Sequence, residues 1–296
     1  MGTLRAIALP ALLFLFACSS CTSLGLGGGG FEVRETAGGG ELSLGEMARQ
    51  LAQADVVFLG EEHDNDVGHD LQLRTLRLLA EERPRIVLSL EQFEADVQGP
   101  LDDYLTGRID EATFLESSRP WPNYNAHYRP MVELARRRGW PVLAANVPRP
   151  LASRVAKEGG LYAVGHEPLV PWEVWVEEPE YADLFARAMG RRRMRDDDWG
   201  LQRWFAAQCV KDEKMAESIA DFLSDSPAGE RPLVVHLCGK FHSNYRLGTV
   251  SRLQRRLPEL DLRVVSMISG PNRSRELGPE ERRLGDYVWL VPPQRD

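Results

Sequence analysis

The most constraining feature of this sequence is a series of short, continuously apolar runs that each end near a glycine or a polar residue. The first is Val56-Val57-Phe58-Leu59, which stops at Gly60. Such a run is typical of a parallel β-strand buried on both faces, because a half-exposed strand would alternate apolar and polar residues. Similar runs follow at residues 86–90, 142–145, 233–237, 262–267 and 287–291.

Helical periodicity fills most of the chain between these runs, at residues 44–54, 68–82 and 95–138. Strands that alternate with helices predict an α/β fold, here a mostly parallel β-sheet flanked by helices. No strand pattern occurs between Pro148 and Pro232, where residues 181–189 and 199–223 have helical periodicity instead. We therefore expect an inserted, smaller all-helical subdomain at about residues 148–230.

Composition narrows the class of protein. A chain of 296 residues with 43% hydrophobic content can bury a large core, which excludes a disordered or fibrous chain. Its net charge of −8 predicts no basic surface that grips nucleic acid. Residues 191–198, with four arginines and three aspartates, are interpreted as a solvated, self-neutralising junction rather than a phosphate site.

The first residues have the layout of a lipoprotein signal peptide. Arg5 precedes a dozen apolar residues at 6–17, which are too few to span a bilayer as a helix, and Ala17 stands before Cys18. We predict a signal peptide over residues 1–17 and lipidation, such as by palmitate, at Cys18. An uncleaved anchor and an ordinary secretory signal are the alternatives, and both place the remaining chain outside the cytoplasm.

The residues that follow suggest a tether and a location. Residues 18–40 are interpreted as a lipidated, glycine-rich tether, and residues 41–296 as the folded domain. Ser19 in place of Asp resembles the sorting pattern of bacterial lipoproteins sent to the outer membrane, so we expect a periplasm-facing protein there. In that oxidising compartment Cys209 and Cys238 either form a disulfide or are buried as small apolar residues, and we favour burial over a catalytic thiol.

Polar side chains follow four of the predicted strands. Glu61 and His63 come after the first strand, Glu91 after the second, Asn146 after the third and His242 after the fourth. Ligands of open parallel sheets bind at the carboxyl ends of the strands, so we expect these side chains to share one cleft. A Glu and a His two residues apart, with a distant His, can hold a metal ion or another ligand.

Four sequence motifs carry a family resemblance. They are VVFLGEEHD at residues 56–64, SLEQF at 89–93, AANVPRP at 144–150 and AQCVKDEKMA at 207–216. Together they resemble the ChaN family of iron-regulated, haem-binding lipoproteins, within the Tiki/TraB/erythromycin-esterase superfamily, over most of residues 45–260. The resemblance implies a homodimeric protein that binds haem at the dimer contact and acts in bacterial haem or iron uptake, with an outer-membrane haem receptor as a partner.

The same resemblance assigns residues. Glu61 and His63 occupy the first GExH pattern, Glu91 is the acidic residue after the second strand, and His242 ends the last GxxH pattern. Other branches of the superfamily catalyse metal-dependent hydrolysis. In that alternative Glu61, His63 and His242 hold a divalent ion, and Glu91 accepts a proton from the bound water. One departure is Phe241, which with Lys240 replaces the small residues that family members tend to have before this histidine; a structural lipoprotein with a decayed site is a third interpretation.

Ferric haem accepts a His nitrogen or a Tyr phenolate as its axial ligand and needs apolar walls. Tyr124, His127 and Tyr128 lie close to Trp121 in the sequence, and Arg129 could meet a propionate. The alternative for these residues is an aromatic loop packed against the subdomain. A second candidate wall contains His166, Trp172 and Trp175, for which an exposed loop is the alternative.

One helical segment adds a polar stripe. From Trp199 onward, Gln208, Asp212 and Met215 recur at spacings of four and three and so share one helix face. Such a stripe is usually a solvated face. The family resemblance instead points Gln208 and Asp212 towards the cleft, with Met215 in the core.

Overall fold

The computed structural model describes residues 30–226, 231–271 and 276–294. The predicted signal peptide at residues 1–17 and the predicted lipidation site at Cys18 lie outside these ranges. Within them, no helix is both long and apolar enough to cross a membrane.

The described strands form one sheet in the order β2-β1-β8-β7-β3-β6-β4-β5. From β8 to β5 neighbouring strands are parallel, whereas β1 pairs antiparallel with both β2 and β8. The predicted mostly parallel α/β fold is thus confirmed. The strands are β1 Glu32–Glu35, β2 Glu41–Leu42, β3 Val56–Glu61, β4 Ile86–Glu94, β5 Val142–Asn146, β6 Leu233–Gly239, β7 Leu262–Ser269 and β8 Tyr287–Val291.

Helices connect the strands and cover both faces of the sheet. They are α1 Leu44–Leu51, α2 Asp66–Glu82, α3 Gln98–Leu105, α4 Glu111–Ser118, α5 Tyr124–His127, α6 Arg129–Arg138, α7 Arg149–Arg154, α8 Pro179–Ala188, α9 Trp199–Ser224 and α10 Thr249–Arg256. Local signals explain where several begin. Ser43 and Glu46 form a reciprocal capping box on α1, and the side chains of Asn65 and Asp198 cap α2 and α9.

The continuous apolar runs have a simple structural cause. In β3 the side chains of Val57 and Leu59 pack in the core shared with α1–α6, whereas those of Val56 and Phe58 pack in a second core with α9 and α10. Because successive side chains of a strand point to opposite faces, a strand between two helical layers must be apolar at every position.

The tether predicted for residues 18–40 is too long. Residues 32–35 form β1, which pairs with β8 through Glu32 opposite Leu290 and Glu35 opposite Tyr287. Val33 is buried in the core, and residues 36–40 turn the chain into β2. The sequence does not reveal this strand because three of its four residues are charged and glycines follow it.

The predicted helical insert is present, with α7, α8 and α9 between β5 and β6. Its boundary differs from residues 148–230 because α9 belongs to two layers. Ala207 and Val210 pack inside the insert, whereas Ile219 and Leu223 cover the sheet. Cys209 and Cys238 are both buried and free, so no disulfide joins them.

Candidate functional site

A cleft lies between the carboxyl ends of β3–β6 and the helical insert, with a cavity of about 380 Å³. The cavity has the volume typical of a small-molecule or cofactor site. It is lined by His63, Glu91, Glu94, Trp121, Asn146, Val147, Arg149, Phe185, Ala188, Gln208, Lys211, Gly239, Phe241 and His242.

His63 and Glu61 form a hydrogen-bonded pair at the end of β3. The Nδ1 atom of His63 lies 2.9 Å from Oε1 of Glu61, and the side chain of His63 is 43% exposed. Glu61 is buried and also accepts hydrogen bonds from Gln72, Gln92 and Tyr128. Burial alone would lower the pKa of His63, but the hydrogen bond with Glu61 and the charge of Glu91 raise it above its usual value.

A second group joins β4, α9 and the turn after β6. His242 lies between two buried carboxylates, with Nδ1 at 2.7 Å from Asp212 and Nε2 at 3.2 Å from Glu91. These two charges raise the pKa of His242 to about 10 despite its burial. The pKa of Glu91 falls well below its usual value, because His242, His63 and the N–H of Gly239 outweigh the effect of burial. At neutral pH His242 is therefore an imidazolium held by two carboxylates.

A glycine lets the two groups approach each other. A Cβ atom on Gly239 would stand 2.8 Å from Cε1 and 2.9 Å from Nε2 of His63. The Nε2 edge of His63 therefore lies against the backbone of β6. The N–H of Gly239 donates to Oε2 of Glu91 at 2.6 Å. Any side chain at position 239 would displace His63 from this position.

Aromatic and cationic side chains complete the lining. Trp121 meets the His63 ring edge to face at 4.9 Å, and Phe241 stacks on Tyr181 at 5.0 Å. The departure from the family pattern at Phe241 thus gives the cleft an apolar wall that packs on the insert. Lys211 and Arg149 also line the cavity, and the Arg149 side chain is 74% exposed.

Five of the predicted site residues meet at this cleft: His63, Glu91, Asn146, Gln208 and His242. Asn146 donates to the carbonyl of Glu91 at 3.1 Å, and Gln208 lies 3.2 Å from the His242 ring. Two further predicted residues, Glu61 and Asp212, stand directly behind His63 and His242. Met215 is in the core, as predicted.

The aromatic loop does not supply cleft residues beyond Trp121. Tyr124 is buried among Phe93 and Phe114, and Tyr128 is buried with its hydroxyl donating to Glu61 at 2.5 Å. His127 stacks on His69 and lies 2.8 Å from Asp66. We therefore correct the expectation that Tyr124, His127 and Tyr128 contact haem directly, because their helices turn these side chains into the core or towards α2. Arg129 is likewise paired with Glu111, away from the cleft.

The residues of the metal alternative are not arranged as one ligand group. Both carboxylate oxygens of Glu61 are occupied by protein donors, and both ring nitrogens of His242 face carboxylates. Across the ranges that the structure describes, no group of three or more His, Cys, Asp or Glu side chains could hold a metal ion. Hydrolysis with a divalent ion, with Glu91 as the base, stays a prediction from the sequence.

Sequence reasoning predicted Gln208 of the insert but missed the other side chains that the insert contributes to the cleft. Phe185 and Ala188 come from α8, and Lys211 comes from α9. Phe185 packs with Phe205 and Phe241. The helical periodicity of residues 181–189 was the only sequence signal for this contact. Periodicity shows that a helix has an apolar face but does not show what that face covers.

Known proteins similar to this chain share its fold. Residues 47–253 match the model of the family described as haem-binding uptake, Tiki superfamily, ChaN. ChaN of Campylobacter jejuni, solved with cofacially bound haem, is 16% identical, and the match covers 89% of this chain and 98% of that chain with a TM-score of 0.65.

Two further matches are an esterase and a plant protein. A mutant of the erythromycin esterase EreC is 13% identical, with 88% of this chain and 97% of that chain covered and a TM-score of 0.50. The chloroplastic protein RETICULATA-RELATED 5 of Arabidopsis thaliana is 24% identical over 263 residues, which are 81% of this chain but 34% of that protein. Since the family match spans well over half of its residues, this chain belongs to the ChaN family of haem-binding uptake proteins in the Tiki superfamily.

Proposed function

We propose that this protein binds ferric haem in the cleft and serves bacterial haem or iron uptake or storage as a lipoprotein anchored through Cys18. Membership of a haem-binding family supports the ligand. The location at the periplasmic side of the outer membrane comes from the sequence before residue 30. No catalytic turnover is part of this proposal.

The observation that carries the proposal is the geometry of His63. Its Nδ1 is bonded to a buried carboxylate, its Nε2 edge faces Gly239 in the cleft lining, and its side chain is partly exposed. A histidine that ligates a metal typically has its other ring nitrogen held by a carboxylate in this way. His63 is therefore the candidate axial ligand of the haem iron.

His242 is unsuited to the same role. Both of its ring nitrogens face carboxylates, and its pKa of about 10 keeps it protonated at neutral pH. An imidazolium has no lone pair to give to iron. His242 instead balances the charge of Glu91 and Asp212 at the floor of the cleft.

The rest of the lining fits the other parts of haem. Trp121, Phe185 and Phe241 offer the apolar surface that a macrocycle requires, and Arg149 and Lys211 offer cations for its propionates. The bound haem would supply the iron, to which the His63 imidazole would bind. The chain itself supplies the imidazole, the apolar wall and the charges.

We extend the proposal to a homodimer with haem at its contact and to an outer-membrane haem receptor as a partner. The structure of Campylobacter jejuni ChaN has haem bound cofacially, which supports a shared site of this kind. Light scattering of the protein with and without haem tests the dimer, which we expect to form or tighten when haem is added.

The test of haem binding is a titration of the chain from Thr22 onward with ferric haem, followed at the Soret band. This chain keeps every residue that the structure describes. We expect a saturable, shifted Soret band, and an affinity at least about 10-fold lower in His63→Ala. Adsorption that does not saturate would contradict the proposal.

His166→Ala is the matched control, because it removes the imidazole that stacks on Trp172, outside the residues that line the cleft. We expect it to bind haem as the wild type does. If His166→Ala lost haem affinity and His63→Ala did not, the iron ligand would instead lie in the insert. Circular dichroism of both variants separates loss of the ligand from loss of the fold.

A further inference from the structure

A charged surface lies where α8 ends and α9 begins, beside the cleft. Residues 183–204 contain six arginines and four aspartates, in a chain whose net charge is −8. Arg187, Arg191, Arg192, Arg193 and Arg195 line one polar cavity of about 950 Å³ together with Asp183, Asp197 and Asp198.

Three of the four aspartates of this segment have other partners, and the fourth, Asp196, is exposed. Asp183 accepts the N–H of Met194 at 2.8 Å, and Asp198 accepts the N–H of Leu201 at 3.0 Å as the cap of α9. Asp197 is bonded twice to Arg195. Among the residues that the structure describes, the exposed side chains at 191–193 have no ion-pair partner, so the predicted self-neutralising junction is wrong for these three arginines.

Exposed apolar side chains stand next to these arginines. Trp199 is 72% exposed, Trp204 is 49% exposed and Met189 is 43% exposed. On α9 the exposed positions Trp199, Arg203, Gly200 and Trp204 follow each other around the helix, while Leu201 is buried.

Two cavities show that these side chains form one surface. The cavity lined by Met189, Leu201, Arg203 and Trp204 shares Arg191 and Asp198 with the arginine-lined cavity. We call this region the arginine–tryptophan surface and define it by seven residues: Met189, Arg191, Arg192, Arg193, Trp199, Arg203 and Trp204.

We propose that the arginine–tryptophan surface docks the protein on an anionic phospholipid surface. Unpaired guanidinium groups match lipid phosphates in charge and geometry. Tryptophan favours the boundary between lipid headgroups and acyl chains, where its ring is buried and its N–H stays hydrated. A soluble anion would use the arginines but would leave the two exposed tryptophans without a role.

Docking in this way would orient the cleft. Phe185 and Ala188 of α8 line the cleft, and Met189 follows them directly on the arginine–tryptophan surface. The lipid surface would therefore lie beside the mouth of the cleft. This proposal does not depend on which ligand the cleft binds.

The experiment is vesicle flotation of the chain from Thr22 onward, which lacks the predicted lipidation site Cys18. Vesicles of phosphatidylcholine alone are compared with vesicles of phosphatidylcholine and phosphatidylglycerol in a two-to-one ratio. We expect binding only to the anionic vesicles. In R191Q/R192Q/R193Q the partition coefficient should fall about 100-fold, at roughly 5-fold for each arginine. W199S/W204S should also reduce binding.

The matched control is R136Q/R137Q/R138Q, which removes three exposed arginines at the end of α6, where no tryptophan is exposed nearby. We expect it to bind as the wild type does. An equal loss in this control, or no binding to anionic vesicles, would overturn the proposal. The proposal would also be overturned if only the arginine variant lost vesicle binding and inositol hexakisphosphate fully displaced the wild type from the vesicles. That result would indicate a site for free anions. Unchanged circular dichroism shows that each variant is folded.

Discussion

The two sides of the cleft are built by different means. On the sheet side, Glu61 and Glu91 are buried, so their positions are fixed before any ligand arrives. Glu61 accepts several hydrogen bonds, and Glu91 is held by the N–H of Gly239 and by His242. On the insert side, α8 contributes Phe185 and Ala188, apolar residues whose side chains make no hydrogen bonds. Elements that differ in this way should respond differently to substitution, since buried charges depend on their partners and exposed side chains do not.

The largest effect should come from Asp212, which holds His242 and also accepts hydrogen bonds from Tyr181 and Thr249. Asp212→Ala removes the closest partner of a buried imidazolium and should lower the free energy of unfolding by about 3–5 kcal/mol. Urea denaturation measures it. Asp70→Ala, an exposed site on α2, should change stability by less than about 0.5 kcal/mol. Equal effects would show that the buried group is not specifically stabilising.

Two buried histidines should make the free energy of unfolding depend on pH in opposite directions, because the pKa of one is lowered and that of the other is raised. Burial lowers the pKa of His236 to about 4, so its stabilisation is complete above pH 6.5 and is lost as pH falls towards 4, by about 3 kcal/mol. The pKa of His242 is raised to about 10, so its stabilisation is complete below pH 6.5 and is lost as pH rises through 10. His236→Gln should flatten only the acid limb of the profile; a changed alkaline limb would contradict the assignment.

Glu61 should control haem affinity through His63. Glu61→Gln keeps the shape of the side chain but removes the charge that orients the imidazole, and the dissociation constant for haem should rise about 10–100-fold. Glu62→Gln is the matched control, because Glu62 is bonded to Lys240 and Ser269 and does not line the cleft. Soret titrations compare the haem affinities of the two variants. Equal affinities would contradict the assignment of His63 as the iron ligand.

The smallest effect should come from the rim on the insert side. Arg149 is mostly exposed and lies 3.8 Å from Glu94, so Arg149→Gln should weaken haem binding by only about 1 kcal/mol or less. Raised salt should reduce the difference from the wild type, because exposed charges are screened. A loss as large as that of Glu61→Gln would indicate that the cation, and not the imidazole, is the main determinant.

The sequence predicted the sheet side of the site well. Apolar runs reveal buried strands, and the residues that follow parallel strands share one edge, so His63, Glu91, Asn146 and His242 could be placed together. The aromatic loop was harder to predict, because the spacing of its residues does not show where their side chains point. Tyr128, between α5 and α6, donates to Glu61 and meets the His69 ring of α2 edge to face, so it points into the core.

On the insert side only Gln208 and Asp212 of α9 were placed at the cleft, and the rest could be predicted only as helices. The periodicity of α8 and α9 is local, but the placement of Phe185 and Lys211 depends on how the insert meets the sheet. A buried ion pair between Arg252 of α10 and Glu178, which precedes α8, contributes to that placement at 2.9 Å. No pattern within one segment predicts a contact between residues as far apart in sequence as Glu178 and Arg252.

The pairing of β1 with β8 has a consequence for the order of folding. Residue 33 of β1 stands opposite residue 289 of β8, a separation that spans nearly the whole described chain. Contacts of such high sequence separation form late, because a long loop must close before they are made. β1, which is made early, therefore has no strand to pair with until β8 has been synthesised.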